Sequence, residues 1–208
     1  MLIETFEQES EEWRAAHLGI PTASEFGRII TPAKRQFSAQ ATAFAYELIE
    51  EQDTGRPARD FVSGCMQWGK DTEDEARATY SFITGIGVAQ VGMVFPDESR
   101  LYGCSPDGLC VFNGDVYQIG HGLEIKCPSP RVQISYIQTG EVPSNYMPQI
   151  QGNIWICDAE YWDFFAYHPR YKHVLLRVDR DDEFIAKLSE CMDQFLELIE
   201  TTKQSIYQ

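Results

Sequence analysis

The sequence has no run of eighteen consecutive apolar residues, so no transmembrane helix is expected. Its amino terminus, "MLIETFEQESEEW", lacks the basic start and apolar core of a secretion signal, and a cytoplasmic protein is expected. No CxxC pair occurs among its six cysteines, so reduced and mostly buried thiols are the expectation. A zinc site from Cys104, Cys110, His121 and Cys127 would fit no standard spacing and is not expected. Positive charge is scarce: 17 Lys and Arg stand against 32 Asp and Glu, a net charge of −15. That balance argues against a general nucleic-acid coat protein, though not against an enzyme with a local basic channel. No repeat, low-complexity tract or Pro/Ser linker divides the 208 residues, and one domain over 1–208 follows.

What is present suits a folded core: 43% apolar and 12% aromatic residues. Helical spacing runs from Ser38 through Ala41, Phe44, Ala45, Leu48 and Ile49. A second helix covers "MQWGKDTEDEARATYSFITG", with Gly69, Ala76, Tyr80 and Ile83 on one face and Gly85 or Gly87 as its stop. The period then changes. Residues 88–95, 101–103, "GLCVF", "VYQI" and "GLEIKC" read as strands parted by Gly, Asn and Asp turns. "SNYMPQIQGNIWIC" returns to helical spacing, "YWDFFAY" and "HVLLRV" read as strands, and 181–202 as a closing helix capped by Asp181 or Asp182. Its inward residues are Phe184, Leu188, Phe195 and Leu198, while its other face and the acidic N-terminal run form a solvated exterior. The order predicts an α/β domain with a central mixed sheet flanked by helices.

The chemistry concentrates in "CSPDGLCVFNGDVYQIGHGLEIKC", residues 104–127. Residues two apart on a strand share a face, so Glu124 and Lys126 point one way and Ile125 the other, into the core. Asp107 sits in the "SPDG" turn and Asp97 in "FPDES". A meander would bring these carboxylates and one ammonium to one sheet edge. Clustered carboxylates repel and take up protons unless a cation joins them. Oxygen ligands suit Mg²⁺ or Mn²⁺. Lysine is kept out of the cation's shell by charge and is left to orient a water or hold a phosphate oxygen. Two cations about 4 Å apart would clamp the attacking and leaving oxygens of a phosphodiester. A bare Glu-x-Lys is usually a solvated ion pair worth roughly 0–1 kcal/mol. Here it follows the Pro-Asp-Gly turn and lies between "GL" and "CP". His121 reads as a turn residue and Trp68 as a core residue. Arg28, Lys34 and Arg35 read equally as a phosphate track or an ordinary polar loop.

The pattern "SPDG … LEIKCP" resembles the PD-(D/E)xK nuclease superfamily and, more narrowly, the bacteriophage lambda exonuclease family of viral recombination nucleases. "LGIPTASEFGRII", "QWGKDTEDEARATY", "FPDESRLYGCSPDGL" and "YMPQIQGNIWI" follow the same family in order, over about residues 13–180. The resemblance implies a restriction-endonuclease-like core. It implies Asp107, Glu124 and the Ile125 carbonyl as metal ligands, with Asp97 at a second position and Glu73 in support. It implies Lys126 as activator of the water and Gln149 as a positioning group. Ser24 would meet a DNA 5′-phosphate. Members can carry an arginine before the Leu-Gly of the first segment, where this chain has His17. Either Arg14 or Arg28 substitutes for it, or the preference for a phosphorylated end is weaker. The implied activity is 5′→3′ digestion of linear double-stranded DNA to mononucleotides with two Mg²⁺ or Mn²⁺ ions per site, as a homotrimer around a channel. The 3′ single strand left behind would pass to a single-strand annealing protein for recombination. An endonuclease of the same superfamily and a non-catalytic acidic module that binds a metal or a partner are the alternatives.

Overall fold

The computed structural model describes residues 1–58, 64–111 and 119–208, with side chains excepted at 64–67, 69–71 and 119. In chain order the elements are β1 (Leu2–Glu4), α1 (Glu11–His17), a 3-10 helix (Ala23–Arg28), α2 (Ala41–Thr54), α3 (Gly64–Thr84), β2 (Val88–Ala89) and β3 (Met93–Phe95). They continue as β4 (Gly108–Val111), β5 (Ile119–Lys126), α4 (Pro130–Thr139), α5 (Met147–Ile156), β6 (Tyr161–Ala166), β7 (Val174–Asp179) and α6 (Asp182–Tyr207). The main sheet runs β2-β4-β5-β6-β7. Among the described strands only β5 and β6 pair in parallel, so the chain between them must cross over, and it does so through α4 and α5.

Strand β5 is covered on both faces. Leu123 and Ile125 join Ala76, Tyr80 and Phe165 in a small core under α3. The opposite face looks toward α5, which packs with α2, α6 and the 3-10 helix around the main core. Phe164 lies in that main core and Phe165 in the small one, the alternation a strand imposes. Gly122 is required at its position: a Cβ there would stand 2.0 Å from the Trp162 ring. Helix α4 begins with Pro130 in its first turn and ends at Gly140 with φ +63°. The mixed sheet flanked by helices is the predicted architecture.

Several local expectations change. Residues 88–95 split, with β2 in the main sheet and β3 paired with β1 in a separate ribbon. Gly92 marks the break, because a Cβ there would meet Phe6 at 2.1 Å. The N-terminal segment is thus not only exterior, and its Ile3 is buried. Residues 101–103 form no strand; Gly103 and Cys104 make isolated bridges to Thr22 and Val94. Helix α2 starts at Ala41 rather than Ser38, whose hydroxyl accepts from the Gln40 N–H. Ile83 is 40% exposed although Ala76 and Tyr80 on its helix are buried. Trp68, expected in the core, is 42% exposed. The "VYQI" expectation falls largely outside the described residues. Among those described, no helix is long and apolar enough to cross a membrane.

Candidate active site

Glu124 and Lys126 share the α5 face of β5, as the strand period requires. Glu124 is 1% exposed. Its Oε1 is ion-paired with Lys126 Nζ, and its Oε2 accepts from Asn153 Nδ2 at 3.3 Å. The Lys126 ammonium also lies 5.1 Å from the centre of the Tyr146 ring. Asp107 stands one residue before β4, and its Oδ2 accepts the Ile125 N–H at 2.6 Å. That bond extends the β4–β5 ladder by one side chain, since Gly108 already pairs with Leu123. Asp107 is thereby brought to the strand that carries Glu124 and Lys126.

Helix α3 supplies the remaining charges. Arg77, only 8% exposed, donates from Nε to the Asp107 carbonyl at 2.9 Å and pairs with Glu73 and Asp74. Burial pushes the Glu73 carboxyl up to about 7, with the Asp107 charge adding and Arg77 opposing. Burial likewise pushes Glu124 up to about 7; Lys126 opposes this and Asp107 adds to it. Asp107 is raised by burial too. Burial alone would lower Lys126, but Glu124 and Asp107 more than offset it and hold the ammonium charged.

Buried Glu124 and half-buried Glu73 and Asp107 all hold their protons more tightly than free carboxyls do, so the cluster is short of positive charge. Their all-oxygen chemistry fits a hard divalent cation, with Asp107 and Glu124 as holders and Glu73 in support. Among the described residues, no three His, Cys, Asp or Glu side chains already stand close enough to share one ion. In this arrangement Lys126 occupies Glu124 Oε1.

The other sequence candidates fall in different places. Asp97 is not brought to the cluster: it sits in an exposed turn and accepts the Ser99 N–H at 2.7 Å. Hydrogen bonding by the Ser99 side chain, then by its N–H, lowers the Asp97 pKa, and the charge acting on it is the chain's own N-terminus. The "PDES" segment is a turn closed on itself, and in this arrangement Asp97 makes no contact with Asp107 or Glu124. Gln149 is half-buried on α5, one turn before Asn153 and on the same face. Ser24 is exposed at the start of the 3-10 helix, its Oγ 3.1 Å from Thr22 Oγ1. That helix docks on α5 through Phe26, which lies against Gly152. Arg28 is no free phosphate ligand: its guanidinium chelates Glu47 at 2.7 and 2.8 Å and lies 4.2 Å from the Phe44 ring centre. Arg35 is similarly paired with Asp181. Arg14 is exposed and loosely paired with Glu9 at 3.9 Å. His17 bonds the Trp13 carbonyl through Nδ1 at 2.8 Å, and burial lowers its pKa.

His121 is not a turn residue. It lies inside β5, 5% exposed, with Nε2 3.0 Å from the Tyr80 hydroxyl and 3.3 Å from Asp163. It faces α3, away from Glu124. Arg77, Tyr146 and Asn153 were not singled out from the sequence. Arg77 carried a readable signal, the Glu73–Arg77 spacing of four on a helix. Asn153 lies four residues beyond Gln149, a weaker cue.

A mixed sheet that presents Asp107, Glu124 and Lys126 from adjoining strands defines a nuclease of the PD-(D/E)xK fold. The match is more specific than the fold. Residues 12–160 fit the model of the YqaJ-like viral recombinase domain, and the chain belongs to that family, which is lambda exonuclease-like. The alkaline exonuclease LHK-Exo from Laribacter hongkongensis superposes with a TM-score of 0.80 at 33% identity, covering 95% of this chain and 98% of that one. LHK-Exo in complex with dAMP superposes with a TM-score of 0.82 at 32% identity, covering 95% and 96%. A phage-related exonuclease from Haemophilus somnus 129PT shares the fold, with a TM-score of 0.63 at 15% identity over 90% and 96%. A curated relative, the putative uncharacterized protein ExoD of Escherichia coli K12, is 30% identical over 59 residues, 27% of this chain and 68% of that protein.

Proposed function

We propose that the chain is a divalent-cation-dependent 5′→3′ exonuclease that digests one strand of linear double-stranded DNA to mononucleotides. The observation that carries this reading is the cation-deficient carboxyl cluster of Asp107, Glu124 and Glu73 beside the Lys126 ammonium. A bound Mg²⁺ or Mn²⁺ would supply positive charge against the charge that develops on the phosphate oxygens. Asp107 and Glu124 would hold the cation, and the Lys126 ammonium beside Glu124 would orient the attacking water or a phosphate oxygen by donating a hydrogen bond. Asn153 keeps the Glu124 carboxyl turned to the site through Oε2. Gln149, one turn away on the same face, positions the water or the scissile strand. Ser24 and Arg14, with His17 neutral, would receive the 5′-phosphate; Arg28 acts indirectly, by fixing the 3-10 helix to α2.

The complex of LHK-Exo with dAMP, a mononucleotide, supports mononucleotide release as the outcome. The viral recombinase family supports a role in recombination; in this reading a homotrimeric, cytoplasmic enzyme hands the 3′ single strand to an annealing protein. The test compares one duplex as a linear form, labelled at one 5′ end, and as a covalently closed circle, with Mg²⁺ and with chelator. Early release of labelled mononucleotide from the linear form alone, abolished by chelator, is expected. Cutting of the circle would make the chain an endonuclease with the same site. Release of neither would leave a non-catalytic acidic module.

A further inference from the structure

Most cations of this acidic chain are held in ion pairs, including Arg28, Arg35 and Arg77. Among the described residues, Lys34 and Arg56 are exposed and make none, and the same holds for Arg131, Arg170 and Lys172. The last three gather at one end of the sheet, next to Lys126. Arg131 lies five residues after Lys126, in the first turn of α4. Arg170 and Lys172 lie in the loop after β6. That loop is tied to the site on three sides. The Tyr167 N–H donates to the Lys126 carbonyl at 2.8 Å. The Tyr167 hydroxyl donates to Glu75 on α3 at 2.7 Å, and Gln133 on α4 donates to the Lys172 carbonyl at 2.8 Å.

Aromatic rings stand among these cations. Trp68, on the helix that carries Glu73, has its ring 6.0 Å from His168, which in turn lies 4.9 Å from Tyr171. Trp68 and Tyr171 are 42% and 39% exposed. Two open aromatic faces bridged by a buried histidine, with unpaired cations beside them, match the chemistry of a stacking platform for unpaired bases and their phosphates. From this juxtaposition we infer that Trp68, His168 and Tyr171, with Arg170, Lys172 and Arg131, bind a single-stranded DNA segment next to the scissile phosphate. An acidic protein segment would use the cations but would leave the rings idle. The inference rests on the nuclease reading and names where that site takes unpaired DNA.

The test is binding of a short oligothymidylate to the full chain in chelator, followed by tryptophan fluorescence across a salt series. Binding with quenching is expected for the wild type. Trp68→Phe should remove the quench. Tyr171→Ala should weaken binding about tenfold. The double substitution Arg170→Gln, Lys172→Gln should reduce the slope of log affinity against log salt by about 1.4, the value for two phosphate contacts on a single strand. Tyr171, Arg170 and Lys172 lie on an exposed loop, so these variants test the platform even if Trp68 substitutions perturb α3. Absence of binding by the wild type, or wild-type affinity and salt slope in the loop variants, would overturn the platform. Nucleotide release from linear duplex with Mg²⁺ is scored in parallel: if the wild type releases nucleotides while the loop variants bind normally, the platform alone fails. If it releases none, the nuclease reading fails separately.

Discussion

The Ile125 N–H donates to Asp107 Oδ2 at 2.6 Å, so one carboxylate both closes the β4–β5 ladder and faces the catalytic strand. The two duties separate by substitution. Asp107→Asn keeps an oxygen for the N–H and loses the charge. It should leave the denaturation midpoint within about 1 kcal/mol of wild type and lower nucleotide release roughly 100-fold or more. Asp107→Ala abandons the N–H as well and should cost a further ~1–3 kcal/mol. Denaturant unfolding and single-turnover nucleotide release on the same preparations read both effects.

The carboxyl cluster gives a pH dependence with a definite sign. Glu73 and Glu124 ionise near 4.5 when unfolded and are pushed up to about 7 in the fold. The folded chain therefore binds the extra protons. In chelator, the contribution of these two groups to stability is full below 4.5, is lost as pH rises from 4.5 toward 7, and then levels. Glu124→Gln cannot titrate at that position, and its fall over this window should be shallower. Denaturation midpoints of the two proteins across the window check this.

A cation competes with the same protons. Mn²⁺ or Mg²⁺ affinity should rise from roughly pH 6 to pH 8 by about tenfold for each of these carboxyls that must ionise, with proton release on binding. Calorimetry in two buffers of different ionisation heat measures it. Affinity independent of pH, or binding that takes up protons, would count against Glu124 as a holder and Glu73 as its support.

Arg77 joins α3 to the Asp107 turn through three acceptors. Arg77→Met strands Glu73 and the Asp107 carbonyl and should cost about 3 kcal/mol. It should also lower activity roughly 10- to 100-fold, as the loss of a group that orients a ligand does. Arg77→Lys has no planar fork to span Asp107 and Glu73 together and should restore only part of either. Equal losses in stability with unchanged turnover would reduce Arg77 to a structural tie.

On the α3 side of β5, the Tyr80 hydroxyl donates to Asp163 at 2.6 Å beside His121. Tyr80→Phe removes that donor and should cost about 1–3 kcal/mol. Because the network faces away from Glu124, nucleotide release at permissive temperature should stay at the wild-type rate. A matching loss of turnover would show that the two faces of β5 are coupled.

The parts legible in the sequence were those with a strict period or spacing. Glu124 and Lys126 two apart on a strand, Asp107 in a Pro-Asp-Gly turn, and the Phe184–Leu188–Phe195 face of α6 all reappear as read. Asp97 stands apart from the cluster in a "PDES" turn that closes on itself through Ser99, a placement that spacing alone does not reveal. His121 was misread because β5 is eight residues long and buried on both faces, so neither alternation nor polarity marks its start. Helix α4 was not read from the sequence; it starts at Pro130, where the missing N–H costs a helix nothing. Arg28 looked like a free cation because its partner Glu47 lies on another helix, nineteen residues away.

The central claim is that Lys126, with Asp107 and Glu124, is the reacting constellation. Single-turnover nucleotide release from a 5′-labelled linear duplex, with Mg²⁺, for wild type and Lys126→Met tests it most directly. The account predicts rapid release by the wild type and at least a roughly 100-fold slower release by the folded variant. Equal rates from the two proteins would contradict it.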